Sequence, residues 1–258
     1  MNYITLLSDF GLKAAGIAKA KGILLQQIQN VNITDISHDI TPFNYKQAAY
    51  ILENTYSNFP KNTIHIVLID WFYATNPKIV VAECNGHYFI SPDNGILFHA
   101  LKQNVKQAYL LKEINTQDTF TLLLEYVAKM AAKIGSKELP ALKLSAISLR
   151  DIINIDKKEE STDLYNVIYI DQYENVVINF TKKELDAIEN NKNFRLEFKQ
   201  TEEINEISNN YNDVKTGTKL CRFNSNGYLE ICVNHGKAAS LFGLKIGGKQ
   251  NKIKISFG

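Results

Sequence analysis

Two aspartates close strongly β-forming runs, Asp9 after YITLLS and Asp70 after TIHIVLI. A carboxylate accepts hydrogen bonds through both oxygens, so it suits a pair of hydroxyls or a water molecule. In open α/β sheets, ligands lie in the crevice beyond the carboxyl ends of the strands, and there the two acids are placed to meet in one pocket. A single aspartate is a weak base at neutral pH, since the carboxyl group ordinarily titrates at about 4, unless burial raises it. The other chemically able residues are isolated. His65 lies inside an apolar run, His87 and His99 flank the turn SPDNG, and His38 sits in DISHDI. Lone histidines are more often structural than catalytic, and none of these is given a catalytic role. Cys84, Cys221 and Cys232 form neither a CxxC pair nor an even set. That argues against a cysteine zinc site and fits a reducing compartment.

The elements that must position the acids are legible from periodicity. The first half alternates short β-branched runs with amphipathic stretches, the sign of an α/β layer around a mostly parallel sheet. Residues 3–8 read as a first strand and 31–36 as a second. Between them, 14–29 carries Ile17, Ala20, Leu24, Leu25 and Ile28 at helical spacing. Thr41-Pro42 reads as an N-cap followed by a proline at the first helical position, opening a second helix with Ala48, Ala49, Leu52 and Tyr56 as its buried stripe. Residues 63–70 are nearly continuous apolar apart from His65, as expected of a central strand covered on both faces. Further strands are expected at 78–84 and 87–91, and a third helix at about 119–134.

Beyond about residue 145 the periodicity fades into the charge run DKKEESTD. A linker at 151–163 is expected between an α/β domain, 1–150, and a second domain, 164–258. In the latter only short strands are read, at 164–170, 176–180, 194–198, 219–223, 228–233 and 253–257. An all-β barrel or sandwich follows.

With 258 residues, 45% hydrophobic and 22% charged, and only five prolines, the composition excludes disordered, collagenous and coiled-coil chains. A net charge of +2, from 29 basic and 27 acidic residues, is too small to suggest an electrostatic binder of nucleic acid or membrane. The partner expected is a small molecule. MNYITLLSDFG has no basic leader and too short an apolar run for a signal peptide, and charges interrupt every longer stretch, so a cytoplasmic location is expected.

Several motifs, taken in order, carry a resemblance. They are LLSDFG (6–11) followed by Lys21-Gly22, DISHDITPF (35–43), FPKNTIHIVLID (59–70), SPDNGIL (91–97), and the late pair IDQYENVVIN (170–179) and FNSNGYLEI (223–231). Their order and spacing resemble the S-adenosylmethionine (SAM) hydroxide adenosyltransferases, relatives of the SAM-dependent fluorinase and chlorinase. The resemblance implies hydrolysis of SAM to adenosine and L-methionine by water attack at C5′, with SAM as substrate and no cofactor or metal. It implies a homotrimer with SAM between the amino-terminal domain of one subunit and the carboxy-terminal domain of its neighbour. By similarity Asp9 takes the ribose hydroxyls, and Phe43 and Phe120 wall the sugar and the sulfonium, with Thr75 also facing the substrate. Asn175 reads the adenine edge, Asp171 pairs with the methionine ammonium, and Ser225 with Asn226 holds the methionine carboxylate. The resemblance implies that Asp70 is the catalytic carboxylate, which orients the water.

The chain departs from the family pattern at its catalytic core. A stretch of the form DPGVGTxR is replaced by DWFYATNP (70–77), so Asp70 remains while Pro77 takes the arginine position. The family's TFHGRD becomes TFTLLLE (119–125), which puts Thr121 where the histidine belongs. After the first motif, Ala14 and Gly16 stand where an acid and an aromatic or serine are usual. Lys78, one residue past the missing arginine, is the candidate replacement cation, although lysine lacks arginine's rigid fork. The relatives that use halide carry a tyrosine where this chain has Asp70, and a carboxylate there repels a halide. Three readings follow: a SAM hydrolase, a SAM- or adenosine-binding protein of the same fold without turnover, or a scaffold whose pocket is filled by Trp71, Phe72 and Tyr73.

Overall fold

The computed structural model describes residues 2–13, 15–151, 164–188, 193–199, 202–246 and 253–258. The chain divides into two compact units, Met1–Asn154 and Ile155–Gly258. The expected linker at 151–163 lies, Asp151 apart, outside the described residues, as does Ala14.

The first unit runs β1 (Asn2–Ser8), α1 (Ala15–Gln27), β2 (Val31–Ser37), α2 (Tyr45–Thr55), β3 (Ile64–Leu68), β4 (Lys78–Cys84), β5 (His87–Pro92), α3 (Ile96–Leu101), β6 (Val105–Glu113) and α4 (Phe120–Gly135). Its six-stranded sheet has the order β2-β1-β3-β5-β4-β6. All strands but β4 run the same way, because β4 pairs antiparallel with both neighbours. The reversal is made by the Asn85-Gly86 turn, in which both residues have positive φ, 49° and 76°. That is the two-residue hairpin geometry asparagine and glycine favour. Every residue of β3 is buried. Ile64, Ile66 and Leu68 join Ile4 and Leu6 in a core closed by α1 and α4, while His65 faces the opposite side, toward Tyr56 and Phe89.

Two expectations need correction. The second helix begins at Tyr45, not after Thr41. Asn44 is its N-cap, accepting from the Gln47 N–H at 3.0 Å, while Gln47 Oε1 accepts the Thr41 N–H at 2.8 Å. Pro42 belongs to the preceding turn, where Phe43 adopts φ 60°. Helix α3 and strand β6 carry no strong periodicity and were not anticipated.

The second unit contains β7 (Leu164–Tyr165), β8 (Val167–Ile170), β9 (Val176–Thr181), α5 (Lys182–Asp186), β10 (Arg195–Phe198), β11 (Glu202–Ile204), β12 (Ile207–Ser208), β13 (Lys219–Phe223), β14 (Tyr228–Val233), α6 (Ala238–Phe242) and β15 (Ile253–Ser256). These strands form two sheets, β11-β10-β15-β7 and β12-β13-β14-β9-β8. Pairing is antiparallel except between β12 and β13. Alternate residues of both sheets, such as Ile178, Phe180 and Ile231 on one and Leu196, Phe198 and Ile255 on the other, share one apolar core. Of barrel and sandwich, the sandwich is what forms.

The polar face of β3 carries a pH liability. His65 Nδ1 lies 2.7 Å from Thr5 Oγ1 and its Nε2 lies 3.2 Å from His87 Nδ1, all buried. Burial first, and the neighbouring His87 second, depress His65 from 6.5 to about 3. The unfolded chain therefore takes up a proton below pH 6.5 that the folded chain refuses. Stability should hold above that pH and decline on acidification, by about 3 kcal/mol at pH 4 from this group alone. Urea unfolding at pH 7 and pH 4 checks it, with His65→Leu expected to flatten the difference.

Candidate functional site

The parallel pairing of β1 with β3 sets Ser8 opposite Leu68, so the residues that follow each strand emerge side by side. Here lies a cleft of about 570 Å³ lined by Asp9, Phe10, Gly16, Pro42, Phe43, Leu68, Asp70, Trp71, Phe72 and Phe120. Four of the expected site residues, Asp9, Phe43, Asp70 and Phe120, are thus brought together.

Asp9 is held from two directions. Its Oδ2 accepts the Phe43 N–H at 3.0 Å, which ties it to the turn before α2. The loop carrying it is pinned by the Gly11 N–H on the His38 carbonyl at 2.8 Å and by Ser8 Oγ against His38 Nδ1 at 2.8 Å. His38 Nε2 in turn lies 3.0 Å from Asp35 Oδ1, and Lys21 holds Asp35 Oδ2 at 2.6 Å. Burial disfavours the Asp35 charge, but the Lys21 hydrogen bond and the neighbouring His38 imidazole outweigh it and hold the carboxyl below its ordinary range. Asp9 Oδ1 has no hydrogen-bond partner among the described residues.

Asp70 stands in the left-handed region at φ 46°, a conformation aspartate tolerates better than most side chains. Its Oδ2 accepts a hydrogen bond from the Tyr45 hydroxyl. Burial first, then this bond, push the Tyr45 phenol well above its ordinary range, so it stays a donor. Beside the acids runs an aromatic wall, with Phe120 packed 5.4 Å from Trp71 and 5.3 Å from Phe10 between ring centroids. Trp71 is buried and donates Nε1–H to the Val67 carbonyl at 2.9 Å. It is therefore wall rather than plug, and a cleft stays open beside it. Gly16 makes the wall possible, since a Cβ there would stand 2.9 Å from Phe10 Cδ2.

The remaining candidates are placed elsewhere. Thr75 is exposed and does not line the cleft. Lys78, the proposed replacement cation, points its ammonium at Glu113, 3.1 Å away. Thr121 Oγ1 accepts from Lys19 Nζ at 2.7 Å. In the second unit, Asp171 organises the β8–β9 turn: Oδ1 accepts the Tyr173 and Asn175 N–H groups at 2.9 and 2.8 Å, and Oδ2 accepts Asn175 Nδ2 at 2.9 Å. Asn175 lines a second cavity, of about 460 Å³, with Tyr173, Tyr211 and the loop Asn234, His235, Gly236 and Lys237. Tyr211 is fixed there by its hydroxyl on the buried Glu230, 2.8 Å, which Arg222 also holds at 2.9 Å. Ser225 and Asn226 are not near it. They sit in the β13–β14 turn, opposite the far end of β9 from Asn175, because Tyr228 pairs with Thr181 and Ile231 with Val176.

Sequence reasoning missed Tyr45 and the 234–237 loop. A helix start two residues after DITPF, capped by Asn44, was the available signal for the first. Among the described residues no three His, Cys, Asp or Glu side chains are grouped to hold a metal ion. No described helix is long and apolar enough to cross a membrane.

Comparison with known proteins matches two family models, the SAM hydroxide adenosyltransferase N-terminal domain over residues 4–143 and the C-terminal domain over 165–250. The (R)-S-adenosyl-L-methionine hydrolase of Methanocaldococcus jannaschii is 28% identical over 248 residues, covering 90% of this chain and 88% of the relative. The hydrolase of the same name from Salinispora tropica is 21% identical, covering 99% and 98%. The crystal structure of an uncharacterized conserved protein from Thermotoga maritima superposes with a TM-score of 0.80 at 25% identity, covering 98% of this chain and 100% of that one.

Because Trp71 is the one tryptophan of the sequence and packs on Phe120, its emission should change on titration with adenosine or SAM. Gly16→Val, which forces Phe10 aside, should weaken the response. An emission insensitive to both ligands at millimolar concentration contradicts a nucleoside site in this cleft.

Proposed function

We propose, because this chain belongs to the SAM hydroxide adenosyltransferase family, that it hydrolyses SAM at C5′ to adenosine and L-methionine, with Asp70 orienting the water. The observation that carries the reading is Asp70 itself, at the mouth of an aromatic-walled cleft with one oxygen, Oδ1, lacking any hydrogen-bond partner among the described residues. In the same cleft, the open oxygen of Asp9 suits a ribose hydroxyl. The faces of Phe43 and Phe120 suit the sugar and the sulfonium, since an aromatic face attracts a cation.

The step needs little beyond placement. Water oxygen forms a bond to C5′ while the C5′–S bond breaks with both electrons going to sulfur, which leaves as a neutral thioether. The water proton passes to Asp70 and then to solvent, so one SAM cation and one water give adenosine, methionine and a proton. Holding the water in line within a largely dry pocket is what the protein supplies. The adenine and methionine ends extend past this cleft, and Asn175 with its cavity in a carboxy-terminal unit supplies the remaining contacts in a homotrimer. Exposed Leu12, Phe43, Phe72 and Leu122 in the first unit are apolar surface suited to a neighbouring subunit.

A second reading, binding without turnover, is favoured by Pro77 and Thr121, which remove the arginine and histidine of the family pattern. The two separate in one experiment. Purified protein and Asp70→Asn are incubated at neutral pH with SAM and with its (R)-sulfonium form, the form in the relatives' name, and products are followed by chromatography. The parent should release adenosine and methionine in equal amounts, and Asp70→Asn should be slower by about 10² to 10⁴, the usual worth of positioned acid–base help. A parent no faster than buffer whose Trp71 emission still responds to adenosine identifies a binding protein instead.

A further inference from the structure

Among the described residues, neither arginine nor histidine lines the cleft beside Asp70. Lys78, the candidate replacement cation, is engaged with Glu113, and Lys19 with Thr121. What does touch its carboxylate is the phenol of Tyr45, a residue outside the cleft lining and outside every motif that carries the family resemblance. We propose that Tyr45 is the positioning residue of this site, its hydroxyl clamping Oδ2 of Asp70 so that Oδ1 is left, in a set orientation, to receive the attacking water. The proposal rests on the hydrolysis reading for its kinetic part only.

Three features support it. Tyr45 is the first residue of α2, and that helix start is over-determined: Asn44 caps the Gln47 N–H at 3.0 Å, Gln47 returns to the Thr41 N–H at 2.8 Å, and Asp9 binds the Phe43 N–H at 3.0 Å. The hydroxyl thus arrives with little freedom left to lose, the condition under which an orienting contact is effective. Asp70 occupies a left-handed backbone at φ 46°, a sparsely populated conformation that persists where surrounding contacts hold it. Finally, Tyr45 is half-buried and keeps its proton, so the contact is a neutral donor on an anion. A charge-assisted bond of that kind is about twice as strong as one between neutral groups. Unlike an arginine, it leaves the negative charge of Asp70 in a cleft that must admit a sulfonium cation.

The test is Tyr45→Phe, which removes one oxygen and keeps the ring. With SAM as substrate, kcat should fall about 10- to 100-fold, the size of one lost charge-assisted hydrogen bond, while KM changes less than about threefold, since Tyr45 does not line the cleft. Tyr45→Phe/Asp70→Asn should be no slower than Asp70→Asn alone, because the clamp acts only through the carboxylate. A KM rise with kcat unchanged, or full additivity in the double variant, overturns the proposal.

A second readout does not depend on turnover. With tyrosine labelled at ¹³Cζ, the Tyr45 resonance, assigned by its loss in Tyr45→Phe, should move in Asp70→Ala toward the position of a water-exposed phenol. If it stays where it is, the clamp does not exist in solution, whatever the rate. If it moves while the parent leaves SAM intact, the hydrolysis reading fails and the clamp stands as a fixture of a binding site.

Discussion

The in-register parallel pairing of β1 with β3, from Ile4 on Ile64 to Ser8 on Leu68, is the constraint on which the cleft depends. Parallel strands deliver their carboxyl ends to the same edge, so acids that follow each strand by one or two residues must emerge as neighbours. The pairing is secured by burial on both faces. Ile64, Ile66 and Leu68 pack under α1 and α4, while Val67 is buried on the other side. Had β3 been reversed, as β4 is by its Asn-Gly turn, Asp70 would lie at the opposite edge from Asp9.

A second constraint is the turn from Pro42 to Tyr45, which touches both acids, Asp9 through the Phe43 N–H and Asp70 through the Tyr45 hydroxyl. Two like charges facing one cleft repel, and each is partly offset here by a donor from the same rigid segment rather than by a cation. The segment is held at both ends, because Asn44 caps the Gln47 N–H and the Gln47 side chain accepts the Thr41 N–H. The same segment thus touches both of the acids that the paired strands deliver.

Much of this was legible in the chain. Asp9 and Asp70 stood out because strand-forming runs end on them, and a buried central strand announces itself by continuous apolar residues. The second helix was misplaced for a definite reason: Thr41-Pro42 has the chemistry of a cap and a first-turn proline, but Phe43 turns left-handed and Asn44 takes the cap. That displacement hid Tyr45, whose partner is 25 residues away and is set by tertiary geometry alone. Ser225 and Asn226 show a different limit. Local pattern identified their turn correctly, whereas only the antiparallel order of β8, β9, β14 and β13 shows that this turn and the Asp171 turn lie at opposite ends of the sheet. Lys78 could be numbered from a motif, but the antiparallel pairing of β4 with β6 sets it opposite Glu113, which its ammonium contacts.

In the reaction proposed, the sign and movement of charge explain why an acid without its arginine is not idle. The sulfonium starts positive and becomes neutral as the C5′–S bond breaks, while positive charge grows on the attacking water oxygen. A carboxylate nearer sulfur would stabilise the ground state more than the transition state and slow the step, whereas one beside the water stabilises the charge that develops there. An arginine at Asp70 would attenuate that effect even as it oriented the acid. A phenol orients the carboxylate without adding positive charge. The aromatic wall suits the other end of the movement, because its attraction for the sulfonium is weaker than that of a full anion and costs less to relinquish as sulfur loses its charge. On this reasoning the direction in which Asp70 is held matters more than its basicity, and the contact that sets the direction is the one from Tyr45.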